Sequence, residues 1–147
     1  GGSRSRGPRP VSRRIVLDAS AALHLVLRTE RARQLADVLL DATLVLAPGL
    51  YATEVANGLW KYVRAGALDR VSAIEHREEA IGLVDSFATD ADLGAESLAE
   101  AIRLQHPVYD LVYAILARRN GCPVLTMDQR LRSILQKLEV PAVDTDV

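Results

Sequence analysis

Apolar residues in this chain alternate between two spacings. Short unbroken runs, in "RIVLDAS", "TLVLAPG" and "CPVLTM", are separated by longer stretches in which apolar positions recur every three or four residues. The runs predict short buried strands and the spaced stretches predict amphipathic helices. "SAALHLVL" starts a helix directly after the first run, and a second helix is expected from Glu30 to Leu40. "YATEVANGLWKYVRAG" is helical through Val55, Leu59, Tyr62 and Val63, with Gly66 as its stop. "LDRVSAIEHREEAIGLVDSF" and "ESLAEAIRL" read as helix. "HPVYDLVYAILARRNG" opens on proline and closes on Asn120-Gly121, the usual punctuation of a helix. "QRLRSILQKL" is the last helix, and "VPAVD" reads as an edge strand. Strands alternating with helices predict an α/β sandwich around a short-stranded, mostly parallel sheet.

In such a sheet, ligands gather beyond the carboxyl ends of the strands, where helix N-termini also collect. Asp18 and Asp128 follow predicted strands, and Glu54 and Asp110 fall in the first turns of predicted helices. Each has an ordinary explanation. Aspartate is a favoured N-cap, and acids in a first helical turn complement the helix dipole. Four acids set among apolar residues at one edge would nevertheless be costly unless something positive met them. No lysine or histidine is close to them in sequence reading, so a hard cation with oxygen ligands is expected.

Composition narrows the alternatives. The chain has 147 residues, 49% hydrophobic and 25% charged, enough for one folded domain over residues 15–147. Residues 1–14 read as a flexible basic arm whose opening Gly-Gly-Ser has the composition of a cloning remnant. Arg4, Arg6, Arg9, Arg13 and Arg14 take five of the 18 basic residues, leaving 13 against 19 acids in the remainder. No apolar run is long enough to span a membrane. Cys122 is the single cysteine and lies in an apolar run, so it is expected in the core of a protein from a reducing, cytoplasmic compartment. His24, His76 and His106 are too scattered to suggest a zinc site.

The acids and their surroundings resemble the PIN-domain family, and within it the toxin ribonucleases of the VapBC toxin-antitoxin type. The resemblance runs from Ile15 to Val143. "VLDASAAL" places the family's first aspartate on Asp18 and its small hydroxyl residue on Ser20. "YATEVANGLWKYVRAG" places its helix-borne glutamate on Glu54. "VYDLVYAILARRNGCPVLTMD" places the third acid on Asp110 and the last on Asp128, with Thr126 just before it. The resemblance implies a three-layer α/β/α sandwich and an endoribonuclease using one or two Mg²⁺ or Mn²⁺ ions at Asp18, Glu54, Asp110 and Asp128. It also implies products with a 5'-phosphate and a 3'-hydroxyl, a homodimer, and an antitoxin protein as partner.

Ser20 and Thr126 are expected to orient carboxylates by hydrogen bonding, although a local backbone bond at a strand end would explain each equally well. Lys61, Arg64, Arg118, Arg119, Arg130 and Arg132 flank the acid-bearing helices and are candidate RNA contacts. With aromatic residues at only 4%, extended base stacking is not expected. Trp60 reads as partly buried core or as an interface anchor. Two other readings compete: a different Mg²⁺-dependent phosphohydrolase, and a non-catalytic RNA-binding or signalling domain. The first is disfavoured because "DASAA" has no second aspartate two residues after Asp18. The second is disfavoured because the only lysines, Lys61 and Lys137, do not end a late strand.

Overall fold

The computed structural model describes residues 13–145. Of the predicted basic arm, residues 1–12 lie outside the described residues. Arg13 and Arg14 belong to the folded body instead. Arg13 pairs with Asp41 at 2.8 Å and its amide donates to Thr43 Oγ1, and Arg14 begins the first strand.

Among the described residues four strands, β1 (Arg14–Leu17), β2 (Leu44–Pro48), β3 (Ser86–Ala88) and β4 (Val124–Leu125), form one sheet in the order β3-β2-β1-β4, with every pairing parallel. Among the described residues seven helices accompany them: α1 (Ala19–Val26), α2 (Ala32–Asp41), α3 (Leu50–Arg64), α4 (Arg70–Gly82), α5 (Asp90–Leu104), α6 (Val108–Asn120) and α7 (Gln129–Lys137). The result is an α/β sandwich with helices flanking the sheet. Parallel strands need crossover helices, and a strand covered on both faces has no polar side to show. Ile15, Val16, Leu17, Val124 and Leu125 are accordingly all buried.

Helix α6 is the most deeply embedded. It packs on β1, β2 and β4, with α5 and α7 against it, and its residues from Leu111 to Ala117 are all buried. Pro107 precedes its first turn, and Gly121 closes it in the left-handed conformation at φ +59°, where a side chain would be strained. On the other side, α1 gathers α2, α3 and α4. Helices α1 and α3 approach so closely that a Cβ on Gly58 would run into the Leu23 side chain. That approach brings Glu54, one turn before Gly58, toward the start of α1.

Three elements depart from the sequence reading. The segment read as continuous helix to Phe87 ends at Gly82, and Ser86–Ala88 crosses to pair with β2 as an edge strand. The expected strand "VPAVD" reduces to one parallel bridge, Val124 to Ala142. Trp60 is 52% exposed, its ring covered on one side by the Arg64 guanidinium at 4.9 Å. Cys122 is buried as expected. No helix among the described residues is long and apolar enough to cross a membrane.

Candidate active site

The strand order locates the site before any side chain is considered. From β1 the chain proceeds to β2 and β3 on one side and returns to β4 on the other, so β1 and β4 flank the point where the winding reverses. In open α/β sheets the crevice at that point, beyond the carboxyl ends, is where ligands bind. Asp18 follows β1 and Asp128 lies three residues beyond β4. The two strand ends are joined by the Asp18 amide, which donates to Leu125 O at 3.1 Å.

Asp18, Glu54, Asp110 and Asp128 all line one cleft of about 580 Å³, with Ser20, Lys61, Tyr109 and Tyr113 among its other walls. Asp18 and Asp128 are also N-caps. The Asp18 carboxylate accepts from Ala21 N at 3.0 Å, and Asp128 accepts from Arg130 N at 2.8 Å. Capping and lining the cleft are therefore compatible, because an N-cap carboxylate sits at the mouth of its helix. Glu54 is the fifth residue of α3, slightly deeper than the first turn expected.

Asp18 is 4% exposed and is held by a two-tiered network. Thr126 Oγ1 donates to its Oδ2 at 2.7 Å, and Ser20 Oγ donates to its Oδ1 at 2.8 Å. Each hydroxyl is itself fixed from behind, Thr126 by the Asp128 amide and Ser20 by the Met127 amide, both at 2.9 Å. Because the backbone amides occupy hydroxyl lone pairs, each O–H proton is directed to the carboxylate. Burial pushes the Asp18 carboxyl up to about 6, against the downward pull of the Ala21 amide and the Thr126 and Ser20 hydroxyls, with Asp128 adding a further upward push.

Glu54 is held by Tyr113, whose hydroxyl donates at 2.7 Å from α6. Its carboxyl is raised by burial, lowered by that hydrogen bond, and raised again by the charges of Asp110, Asp128 and Asp90. The Tyr113 phenol is pushed up by burial and by the Glu54 charge. Asp110 is held by His106, with Nε2 2.8 Å from Oδ2. His106 is set in place by Gln105, whose left-handed turn at φ +54° closes α5 and lets the His106 amide bond Ala101 O at 3.0 Å.

This corrects the expectation that no lysine or histidine is near the acids. Lys61 lines their cleft and His106 bonds Asp110 directly. The His106 contact was legible as an i,i+4 pair across a helix start. The Tyr113 contact, between residues 59 apart, had no local signal.

The basic candidates divide. Lys61 is in the cleft and makes no ion pair with any described residue. Arg130, the second residue of α7, gives its amide to Asp128. Arg64 is committed to the Trp60 ring, and Arg132 is bonded to Val143 O and Thr145 Oγ1. Arg118 and Arg119 are not brought to the cleft. They sit in the last turn of α6, at the opposite end from Asp110, and pair with Glu96 and Glu100 of α5.

The donor set suits a hard divalent cation: the carboxyls offer oxygen ligands only, and those of Asp18 and Glu54 are raised by burial and by neighbouring negative charge that a cation would offset. It is not a closed cage. Among the described residues, no three His, Cys, Asp or Glu side chains are gathered closely enough to hold a metal ion by themselves. Each carboxylate instead meets a protein donor of its own.

Known proteins share the fold. The PIN domain family profile matches residues 15–135. The chain therefore belongs to the PIN-domain family, and its relatives place it with the VapC-type ribonuclease toxins. It is 32% identical over 130 residues to ribonuclease VapC3 of Pyrobaculum aerophilum, covering 87% of this chain and 99% of that protein. It is 31% identical over 119 residues to ribonuclease VapC3 of Mycobacterium tuberculosis, covering 80% and 84%. Among solved structures, PAE2754 from Pyrobaculum aerophilum superposes with a TM-score of 0.65 at 24% identity, covering 84% of this chain and 80% of that one. Mycobacterium tuberculosis VapC20, described as a Sarcin-Ricin loop cleaving toxin, superposes with a TM-score of 0.63 at 17% identity, covering 81% and 93%. At these identities the structural matches speak for the fold.

Proposed function

We propose that this protein is a divalent-metal-dependent endoribonuclease and the toxin of a toxin-antitoxin pair. The observation that carries the reading is the convergence on one cleft of four carboxylates from four separate elements, at the point where the sheet's winding reverses. Asp18, Glu54, Asp110 and Asp128 would hold one or two Mg²⁺ ions, with Mn²⁺ as a substitute. Such an ion supplies Lewis acidity to the phosphoryl group and acidifies water at the site. The reaction is hydrolysis: a water oxygen attacks phosphorus, the bond to the 3' oxygen breaks, and that oxygen takes up a proton.

The chain's own part is positioning. Thr126 and Ser20 fix the Asp18 carboxylate, Tyr113 fixes Glu54 and His106 fixes Asp110, so the carboxylates need little reordering before reaction. Arg130 beside Asp128 and Lys61 in the cleft are the basic residues best placed to meet phosphates. Exposed apolar side chains, Val71 and Ile74 on α4 and Leu98 and Ile102 on α5, support a homodimer and an antitoxin as partners.

The direct test is Asp18→Asn, assayed with Mg²⁺ and with Mn²⁺ on structured RNAs including tRNA and ribosomal fragments. Metal-dependent cleavage should disappear while the circular dichroism spectrum stays unchanged. Cleavage that persists in the variant, with contaminating nuclease removed, sinks the mechanism.

A further inference from the structure

The cleft poses an electrostatic problem. Four acids line it and Lys61 is the basic residue facing them, while Arg118 and Arg119 are spent on α5. Without bound metal the acids outnumber Lys61 four to one, so the chain's own side chains give a polyanion little net attraction. A contact indifferent to charge adds affinity there with or without the metal.

Tyr109 has the properties such a contact needs. It stands one residue before Asp110 in the first turn of α6 and lines the same cleft, yet it is 60% exposed. Tyr113 lies one turn further along the same helix. Tyr113 is 2% exposed, packed in the core with its hydroxyl on Glu54, whereas no hydrogen bond to a described residue holds the Tyr109 side chain. Leaving a large aromatic in water at the mouth of a cleft forfeits its burial energy unless a ligand covers it. In the same lining, Glu54, Asn57, Gly58 and Lys61 form one stripe of α3. Lys61 lies seven residues beyond Glu54, about 10 Å along the helix axis. That spacing sets a phosphate on Lys61 apart from the Glu54 carboxylate.

We propose that Tyr109 and Lys61 form a nucleotide subsite for single-stranded RNA, in which an unstacked base lies on the Tyr109 ring and a neighbouring phosphate meets Lys61. The proposal rests on the nuclease reading above and adds that the substrate presents a splayed base beside the scissile bond. Duplex RNA, with its bases stacked internally, offers no such face. A cleft of about 580 Å³ is within the usual range for a site of this kind.

The test uses full-length protein with Tyr109→Ala, Tyr109→Phe and Lys61→Met. Binding is measured by anisotropy on single-stranded RNA oligomers carrying 2-aminopurine at one position, moved along the strand. KM and kcat are measured on an RNA that the parent protein cleaves. Tyr109→Ala should weaken binding and raise KM roughly 5- to 150-fold, the range of one base-aromatic stack, and abolish the quenching of 2-aminopurine at one position. Tyr109→Phe, which keeps the ring, should retain both. Lys61→Met should reduce the slope of log K against log salt by about 0.7.

Tyr109→Ala protein that binds and cleaves RNA like the parent overturns the subsite and leaves the nuclease reading standing. So does a variant impaired only in binding a protein partner. Loss in Tyr109→Phe equal to that in Tyr109→Ala also overturns it, because the hydroxyl rather than the ring would then be the contact. Tyr109-dependent quenching by a parent protein that cleaves no RNA keeps the subsite and sinks the nuclease reading. A parent protein that neither binds nor cleaves RNA removes both.

Discussion

The Tyr113 hydroxyl of α6 donates to Glu54 Oε1 of α3 at 2.7 Å, tying together two helices that contribute acids to the cleft. It is the hydrogen bond that lowers the Glu54 carboxyl against the upward push of burial and neighbouring charge. Tyr113→Phe keeps the packing and removes the donor. The variant should lose about 1.5–3 kcal/mol at neutral pH, the range for a hydrogen bond to a charged group. Because the bond favours ionised Glu54, the loss should shrink as acid protonates that carboxyl. Urea unfolding of parent and variant at pH 7 and pH 4.5 checks both statements.

Asp18 makes the pH dependence of stability run opposite to that of a salt-bridged carboxylate. Its ordinary value is 3.8 and its folded value about 6. Between these, the folded state keeps a proton that the unfolded state has lost, so raising the pH through the window weakens folding. Above about pH 6 both states are ionised and the whole penalty is present, about 3 kcal/mol for two pH units. Asp18→Asn has no such penalty. Its stability relative to the parent should improve by 1–3 kcal/mol on going from about pH 4 to pH 7, as read from urea midpoints at each pH. A constant difference across that range would mean that Asp18 is not held in the buried state described.

Thr126→Val deletes the hydroxyl that donates to Asp18 and accepts from the Asp128 amide, at nearly constant volume. With a donor lost and the carboxylate still buried, about 1–3 kcal/mol of stability should go, and the Asp18 carboxyl should titrate higher than in the parent. Thr126→Ser should restore most of both. Thermal melts and a carbon-detected NMR titration of the carboxyl measure the two effects separately.

His106→Ala should leave the fold nearly intact, because the pair it forms with Asp110 is partly exposed. Its effect should fall on metal affinity. Removing a partner that orients a ligating carboxylate typically weakens binding on the order of tenfold or more. Mn²⁺ titration followed by electron paramagnetic resonance, done without RNA, reads this directly. His106→Gln, which can still donate to Asp110, should recover part of the loss.

Helices α3 and α6 were legible in the chain because each carries its own apolar periodicity and its own stop, at Gly66 and Gly121. The four acids were legible as positions, because a carboxylate at the end of a strand or the start of a helix is visible from neighbours alone. Strand β3 was not legible. Its three residues, Ser86 to Ala88, are partly exposed and become a strand only through pairing with Leu46, Ala47 and Pro48. Nor could a local pattern show that Arg118 and Arg119 are taken up by Glu96 and Glu100, since that follows from the packing of α5 on α6.

The sequence by itself determined which residue types stand at the element boundaries, because capping, turn chemistry and burial of an apolar face are decided within a few residues of chain. Tertiary structure alone decided that these boundaries meet: the order β3-β2-β1-β4 brings the ends of β1 and β4 side by side, and the close crossing at Gly58 carries Glu54 toward them. Hydrogen bonds such as Tyr113 to Glu54 and Thr126 to Asp18 join residues 59 and 108 apart. Local preferences cannot encode such contacts, because the free energy that holds them comes from burying the core between the partners.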